Sequence, residues 1–186
     1  HPKIWMSRMK ETHFFNDDKS FSGSTARYDQ YHQQFADVWL CKIMGEATPD
    51  YLSAPSTPRR LYEYNSRMKI VISLRDPVSR AFSHWNMFRQ KREELRTFGT
   101  AIREELSINR RDEHGYVRCG FYSEQIERFR QFFPKEQMLI FKSDELRNNP
   151  QEIVNRIFHF VGVAGKENIP VIEIHKRSYE ETMNEN

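Results

Sequence analysis

The stretch that most constrains the fold of this chain is residues 69–85, KIVISLRDPVSRAFSHW. It opens with an apolar, β-branched run at 70–74, which is too short for a helix and predicts a buried strand. Asp76 then favours a helix N-cap, and Pro77 suits the first helical turn. Apolar residues follow at helical spacing: Val78, Ala81, Phe82, Trp85 and Phe88. The stretch therefore predicts a strand that runs directly into an amphipathic helix.

Arg75 stands at the junction between this strand and this helix, and Ser83 lies away from the apolar stripe of the helix. Backbone N–H groups at a helix N-terminus and an arginine guanidinium both bind anions. Two interpretations fit the spacing about equally well. One is an anion site shared by Arg75 and Ser83, and the other is a surface ion pair beside a solvated serine.

Strands and helices alternate along the rest of the chain. Residues 137–141 predict a second short buried strand, and residues 1–20 and 142–149 predict polar connections. The charged residues 89–96 predict the exposed end of the central helix. Apolar residues at helical spacing predict further helices: 24–45, 59–64, 97–106, 120–133 and 150–161. This alternation is typical of an α/β fold with a parallel sheet, in which sites lie at the carboxyl ends of the strands.

Composition excludes several classes of protein. A length of 186 residues with 38% hydrophobic residues predicts one domain with a packed core rather than a disordered chain. The net charge of +3 suits an anionic ligand but is too small to indicate a nucleic-acid partner. No apolar run approaches the roughly 18 residues of a membrane span. Cys41, Cys119 and the seven histidines show no ligand spacing, so we expect reduced thiols in the cytoplasm and no metal site.

The order RDPVSRAFSHW at 75–85 resembles the 3′-phosphate-binding segment of sulfotransferases that use PAPS, 3′-phosphoadenosine 5′-phosphosulfate, as donor. The similarity is greatest to the heparan sulfate sulfotransferases and related bacterial enzymes. In that family, the arginine that ends the strand and the serine eight residues later hold the 3′-phosphate. The resemblance therefore implies that Arg75 and Ser83 bind the donor. It also implies a P-loop-NTPase-like parallel sheet flanked by helices.

Two further segments resemble the acceptor side of the same family. KETHFFN at 10–16 is similar to a segment in which the glutamate is the proposed base and the histidine lies beside it, which implies these roles for Glu11 and His13. Taken alone, the two residues are typical of a solvated loop. Some members have an aspartate where this chain has Asn16. In the segment GEATPDYL, Ala47 replaces a lysine of the heparan sulfate enzymes, which weakens the case for a highly sulfated acceptor.

The tail resembles the K-x-x-Y loop that closes over the 3′-phosphate of the donor, which implies donor-binding roles for Lys176, Arg177 and Tyr179. An ordinary basic tail fits these residues equally well. The family's glycine-rich loop, which cradles the 5′-phosphosulfate, has no counterpart among the scattered glycines. The resemblance therefore implies that residues 1–186 are a single sulfotransferase domain that lacks its first strand, loop and helix.

The resemblance implies transfer of a sulfuryl group from PAPS to a hydroxyl or an amine of a glycan or small-molecule acceptor, with PAP as product and no metal. Two alternatives remain open. A P-loop nucleotide kinase relative would need a GK[ST] loop upstream and an acidic residue at the end of the strand, where this chain has Arg75. The second alternative is a non-catalytic module that binds nucleotides or polyanions. The expected compartment is the cytoplasm of a bacterium, or the Golgi lumen if a preceding segment carries an anchor.

Overall fold

A computed structural model describes residues 1–23, 25–35, 43–108 and 115–170. The described strands are β1 Ile4–Met6, β2 Ile43–Gly45, β3 Ile70–Leu74 and β4 Met138–Lys142. The described α-helices are α1 Tyr28–His32, α2 Thr57–Tyr64, α3 Pro77–Gln90, α4 Phe98–Ser107, α5 Tyr122–Arg130, α6 Ser143–Asn148 and α7 Pro150–Val161. β1 pairs with β2 and β3 pairs with β4, both in parallel. The expected α/β class with parallel strands is confirmed.

The pairing of β3 with β4 brings the ends of both strands to one edge. Leu74 is the register partner of Lys142, so Arg75 and Ser143 follow their strands side by side. In the other sheet, Met6 is the partner of Gly45, which sets the following residues at the corresponding edge. Parallel strands need long crossovers, and the helices between the strands supply them.

The central strand and helix form as predicted. The Asp76 carboxylate accepts a hydrogen bond of 2.7 Å from the backbone N–H of Ser79, and Pro77 is the first residue of α3. The interior face of α3 is buried: Ala81, Phe82, Trp85 and Asn86. Val78 was wrongly assigned to this face, because its side chain is 59% exposed. Phe82 and Trp85 of α3 form a second core cluster with Phe98 and Ala101 of α4. These residues of α4 cover α3 only from Phe82 onward.

The larger core cluster is mainly aromatic and joins five parts of the chain. Its buried members come from the segment after Glu11, from α1, from the 3₁₀ helix Pro49–Tyr51, from α2, and from α5 with the residues that follow it: Phe14, Phe15, Tyr31, Tyr51, Leu61, Phe129 and Phe133. Tyr28 and Phe35, which lie near Tyr31 in the sequence, are partly buried and pack against this cluster. The segments around Glu11 and the 3₁₀ helix are therefore fixed to the interior although they carry polar side chains.

Several predicted boundaries differ from the structure. Residues 24–45 are not one helix, since α1 is followed by a 3₁₀ helix at Gln33–Phe35 and β2 begins at Ile43; residues 36–42 lie outside the described ranges. Residues 1–20 contain β1, and residues 142–149 contain α6. β1 is only three residues long, too short to show a strand period, whereas α6 begins where the Glu145 carboxylate accepts the N–H of Lys142 at 2.9 Å. Within residues 1–170 as described, no helix is long and apolar enough to cross a membrane.

Candidate active site

Arg75 follows the last residue of β3 and is half-buried. In the part of the chain that the structure describes, its guanidinium forms no hydrogen bond or ion pair with another side chain. The neighbouring Asp76 carboxylate is engaged by the backbone N–H of Ser79, and this hydrogen bond lowers the pKa of Asp76. Arg75 is thus a cation at the edge of the sheet that is available to an anionic group.

Ser83 lies on α3, one helical turn after Ser79, and is half-buried. Its hydroxyl has no side-chain hydrogen bond among the described residues. On the same helix, Arg80 donates to the carbonyl of Tyr116, and the His84 ring packs against the Tyr116 ring with centroids 5.2 Å apart. Arg80 and His84 are therefore engaged in contacts with Tyr116, unlike the Ser83 hydroxyl.

The segment after Gly115 closes over the first turn of α3. Gly120 abuts Pro77 so closely that a Cβ at this position would lie 3.1 Å from the Pro77 Cβ. The phenol of Tyr122 is hydrogen-bonded to the backbone of Arg75, and burial raises the pKa of Tyr122. These contacts fix the backbone that carries Arg75.

The same segment is held from the other side by Glu105 of α4. The Glu105 carboxylate accepts the backbone N–H groups of Val117 at 2.9 Å and of Arg118 at 3.1 Å. Gly115 lies against the same carboxylate, so a larger residue there would require the Glu105 side chain to move. The turn is thereby fixed between α4 and the N-terminus of α3.

Glu94 also contacts this segment, through the hydroxyl of Tyr116. Its side chain is buried and accepts hydrogen bonds from the Arg96 guanidinium at 2.9 and 2.5 Å and from the Tyr116 hydroxyl at 3.1 Å. The hydrogen bonds from Arg96 lower the pKa of Glu94 to about 2. Residues 89–96 were predicted to be the exposed end of the central helix. This was wrong, because α3 ends at Gln90 and Glu94 is buried, with its charge compensated by Arg96 and Tyr116.

Glu11 and His13 lie together directly before the 3₁₀ helix Phe14–Asn16. Glu11 Oε2 is 3.9 Å from His13 Nε2, and both side chains are about 40% exposed (37% and 43%). Both residues have a positive φ, 60° for Glu11 and 52° for His13. Non-glycine residues in this region store strain that surrounding contacts must hold, and such strain clusters at functional sites.

The contacts that hold this turn converge on Glu46, directly after β2. Its carboxylate accepts hydrogen bonds from four hydroxyl groups, those of Thr12, Tyr31, Thr48 and Tyr51, with both tyrosine oxygens at 3.0 Å. The Tyr51 oxygen also accepts the backbone N–H of Phe15 at 3.2 Å. Burial raises the pKa of Tyr51 to about 12 and that of Tyr31 further, so both remain protonated donors. We call Glu46 and these four residues the Glu46 cluster.

A family model described as the sulfotransferase domain matches residues 5–186. The chain belongs to this family. This match favours a sulfotransferase over the alternative of a P-loop nucleotide kinase relative. Human heparan sulfate glucosamine 3-O-sulfotransferase 3B1 is 27% identical over 154 residues, which are 82% of this chain and 38% of that protein. The membrane-associated sulfotransferase kil1 of Dictyostelium discoideum is 33% identical over 86 residues, 46% of this chain and 18% of that protein.

The solved structure of a sulfotransferase from Alicyclobacillus acidocaldarius is similar throughout the domain. It superposes with a TM-score of 0.77 at 28% identity and covers 95% of this chain and 78% of that one. The P-loop-like sulfotransferase fold expected from the sequence is thereby confirmed. This sulfotransferase domain spans about two fifths of the length of the human relative.

The predicted site residues of the sulfotransferase domain fall into three groups. Glu11 and His13 are brought together, and Arg75 and Ser83 both lie at or near the carboxyl edge of β3 without side-chain partners among the described residues. The predicted donor-binding residues of the tail lie outside the described residues: Lys176, Arg177 and Tyr179. In the described ranges, no group of histidine, cysteine, aspartate and glutamate side chains could hold a metal ion.

Sequence reasoning did not identify Glu46, Glu94 or Glu105 as the carboxylates that build the site. Only the contacts of Glu46 with Thr48 and Tyr51 could have been inferred from the sequence, because these residues lie within six positions of Glu46. The partners of Glu94 and Glu105 in the segment after Gly115 are 12 to 22 residues away, beyond any local pattern. Their carboxylates accept hydrogen bonds from the segments that surround the candidate residues.

Lowering the pH is expected to remove the stability that Glu94 supplies. Its pKa is lower in the folded than in the unfolded chain, so its contribution is full above pH 4.5 and is lost as the pH falls to about 2. We expect Glu94→Gln to reduce the free energy of unfolding by about 2–3 kcal/mol at neutral pH, and this difference from wild type to vanish near pH 2. Urea unfolding of wild type and Glu94→Gln at both pH values measures this difference in the free energy of unfolding. A difference that is independent of pH would contradict a stabilising role for the ionised Glu94 carboxylate.

Proposed function

We propose that this sulfotransferase domain transfers a sulfuryl group from PAPS to a hydroxyl or amine of an acceptor and leaves PAP. The observation that carries the proposal is Arg75, a half-buried guanidinium without a side-chain partner among the described residues, at the carboxyl end of β3 and beside the helix that bears Ser83. Partial burial of an unpaired guanidinium costs free energy, and an anion bound beside it offsets that cost. A phosphate is the anion that arginine and a helical hydroxyl bind well.

In this proposal Arg75 and Ser83 hold the 3′-phosphate of the donor. The basic tail residues Lys176, Arg177 and Tyr179 cover the same phosphate from the opposite side. Fixing the donor at the 3′-phosphate orients its phosphosulfate for in-line attack, which supplies much of the rate in such transfers.

The 5′-phosphosulfate needs a further cradle of backbone N–H groups, which we assign to a strand, loop and helix outside residues 1–186. Residues 1–186 then form the remainder of one domain. The support is the exposure of apolar residues on the strands, since strands of parallel sheets are normally covered on both faces. Four such side chains are at least 39% exposed: Trp5, Met6, Met44 and Val71.

Glu11 is the general base in this proposal. As the acceptor oxygen attacks sulfur, its proton passes to the Glu11 carboxylate, while the bond between sulfur and the bridging oxygen of the donor breaks and PAP leaves with the electron pair. The Glu11 carboxylate is partly exposed and therefore accessible to an acceptor hydroxyl. Its backbone is fixed by the neighbouring Thr12, which bonds to Glu46. A base in this position does not need a metal ion.

The acceptor is a neutral glycan or small molecule rather than a highly sulfated chain. Human relatives are named for action on heparan sulfate glucosamine. In this chain Ala47 is exposed next to Glu46 and offers no cation to a sulfate group. Two carboxylates, Glu11 and Asp50, lie one at each ring nitrogen of His13, and they would repel an anionic acceptor.

The test is transfer of ³⁵S from labelled PAPS by the complete protein that contains this chain, against a panel of neutral glycans, heparan sulfate, phenols and amines. We expect labelled product with a neutral acceptor and its loss in the Arg75→Ala, Ser83→Ala double variant. Binding of PAP without transfer to any acceptor would support a non-catalytic nucleotide-binding module instead. Neither binding nor transfer by the folded protein would overturn the proposal.

A further inference from the structure

His13 lies between two carboxylates, one at each ring nitrogen. Glu11 Oε2 is 3.9 Å from Nε2, and Asp50 Oδ2 is 3.7 Å from Nδ1. The Asp50 side chain is 46% exposed, and the His13 ring is 43% exposed. The three side chains therefore form a row, from Glu11 through His13 to Asp50, that begins at the proposed base and ends in solvent.

Asp50 is fixed to the same framework as Glu11 and His13. It lies in the 3₁₀ helix Pro49–Tyr51, whose last residue is buried in the aromatic core and belongs to the Glu46 cluster. Thr12, between Glu11 and His13, lies 2.9 Å from the Tyr51 hydroxyl and also bonds to Glu46. One cluster thus fixes the backbone on both sides of the row.

We propose that Asp50 is a positioning residue that holds the N–H of His13 Nδ1 toward itself and leaves Nε2 facing Glu11. This inference rests on the proposed function of Glu11 as the base. His13 in this tautomer has a lone pair at Nε2, which can take a proton from the Glu11 carboxyl group. Asp50 thereby turns His13 into the route by which the acceptor proton leaves the site.

The proton balance of this route is simple. The acceptor proton moves to Glu11 as the new oxygen–sulfur bond forms and the donor bond breaks. Glu11 then passes it to Nε2 of His13, so that the resulting imidazolium has one N–H facing each carboxylate. Loss of that proton to water restores the neutral ring with its hydrogen on Nδ1 and restores ionised Glu11 for the next turnover.

The other titratable group at this row does not replace Asp50. Lys10 Nζ is 3.7 Å from Glu11 Oε1, on the opposite oxygen from His13, and is 75% exposed. An ammonium group carries its proton at neutral pH and has no lone pair to accept another. Lys10 faces solvent, and an exposed pair of this kind contributes little.

The experiment uses Asp50→Asn and Asp50→Glu, with Asp144→Asn as matched control. Asp144 is an exposed acid on α6 that pairs with Arg147. Nitrogen NMR of the ¹⁵N-labelled histidine rings reads the tautomer in the folded chain and needs no acceptor. Steady-state transfer from PAPS to the acceptor found in the panel gives kcat and KM.

We expect the Nδ1–H tautomer of His13 in wild type, and its loss in Asp50→Asn. We also expect Asp50→Asn to lower kcat about tenfold or more with KM for PAPS unchanged, and to change the pH profile of kcat. Asp50→Glu should recover part of kcat, because its carboxylate can reach the same nitrogen, and the control should match wild type. A wild-type tautomer and kcat in Asp50→Asn would overturn the inference. Absence of transfer by wild type would instead contradict the proposed function, and the tautomer would still decide the role of Asp50.

Discussion

Glu11→Gln is expected to lower kcat by about 10²–10⁴-fold, because the amide cannot take the acceptor proton. The substitution keeps the size of the side chain, so the positive φ at Glu11 and the contacts of Thr12 should persist. PAP affinity should not change, since the donor contacts are assigned to Arg75 and Ser83. Rates of ³⁵S transfer at saturating PAPS, together with calorimetric titration of PAP, separate these two effects.

Lys10→Gln is the control for this prediction. It also changes one charge in the same turn, and its only ion pair among the described residues is the 3.7 Å contact with Glu11. We expect a change of less than about twofold in kcat, as for exposed ion pairs in general. If Glu11→Gln and Lys10→Gln have equal kcat values near that of wild type, Glu11 is not the base.

Glu46→Leu is expected to lower the free energy of unfolding by about 3–4 kcal/mol. Leucine fills much of the space but accepts no hydrogen bond, so hydroxyl groups of the Glu46 cluster lose their partner in a part-buried site. Because the pKa values of Tyr31 and Tyr51 are raised, both hydroxyls stay protonated and would be left as donors without an acceptor. Urea unfolding followed by fluorescence measures the change.

Glu46→Gln is the matched variant. It keeps one acceptor oxygen and replaces the other with an amide, to which the rotatable hydroxyls can adapt, so we expect a loss of about 1–2 kcal/mol. Equal stabilities of wild type, Glu46→Gln and Glu46→Leu would mean that the cluster does not hold the turn around Glu11 and His13.

The strand and helix around Arg75 could be predicted because their determinants are local. The apolar run, the Asp76 cap and Pro77 act within a few residues of one another, and the structure reproduces β3 and the start of α3. The exposed Val78 departs from the pattern because burial depends on what packs against a helix. That information lies in α4, some 20 residues later.

The short strand β1 and the contact of Glu46 with Thr12 could not be predicted, because both depend on residues far away in the chain. β1 has three residues and is defined by its pairing with β2, nearly 40 residues away in the chain. Glu46 joins Thr12, 34 residues earlier, to Tyr51, five residues later. No periodic pattern marks such contacts, whereas the candidate residues Glu11 and His13 could be proposed because they lie in one short motif, KETHFFN.

The most direct measurement is a calorimetric titration of PAP into the complete protein and into its Arg75→Ala, Ser83→Ala double variant, with AMP as the ligand that lacks a 3′-phosphate. Arg67→Ala, at an exposed position before β3, controls for the loss of one positive charge. We predict micromolar binding of PAP by wild type and by the control, and binding weaker by about 100-fold or more in the double variant and for AMP. A folded protein that binds PAP no better than AMP would contradict the account.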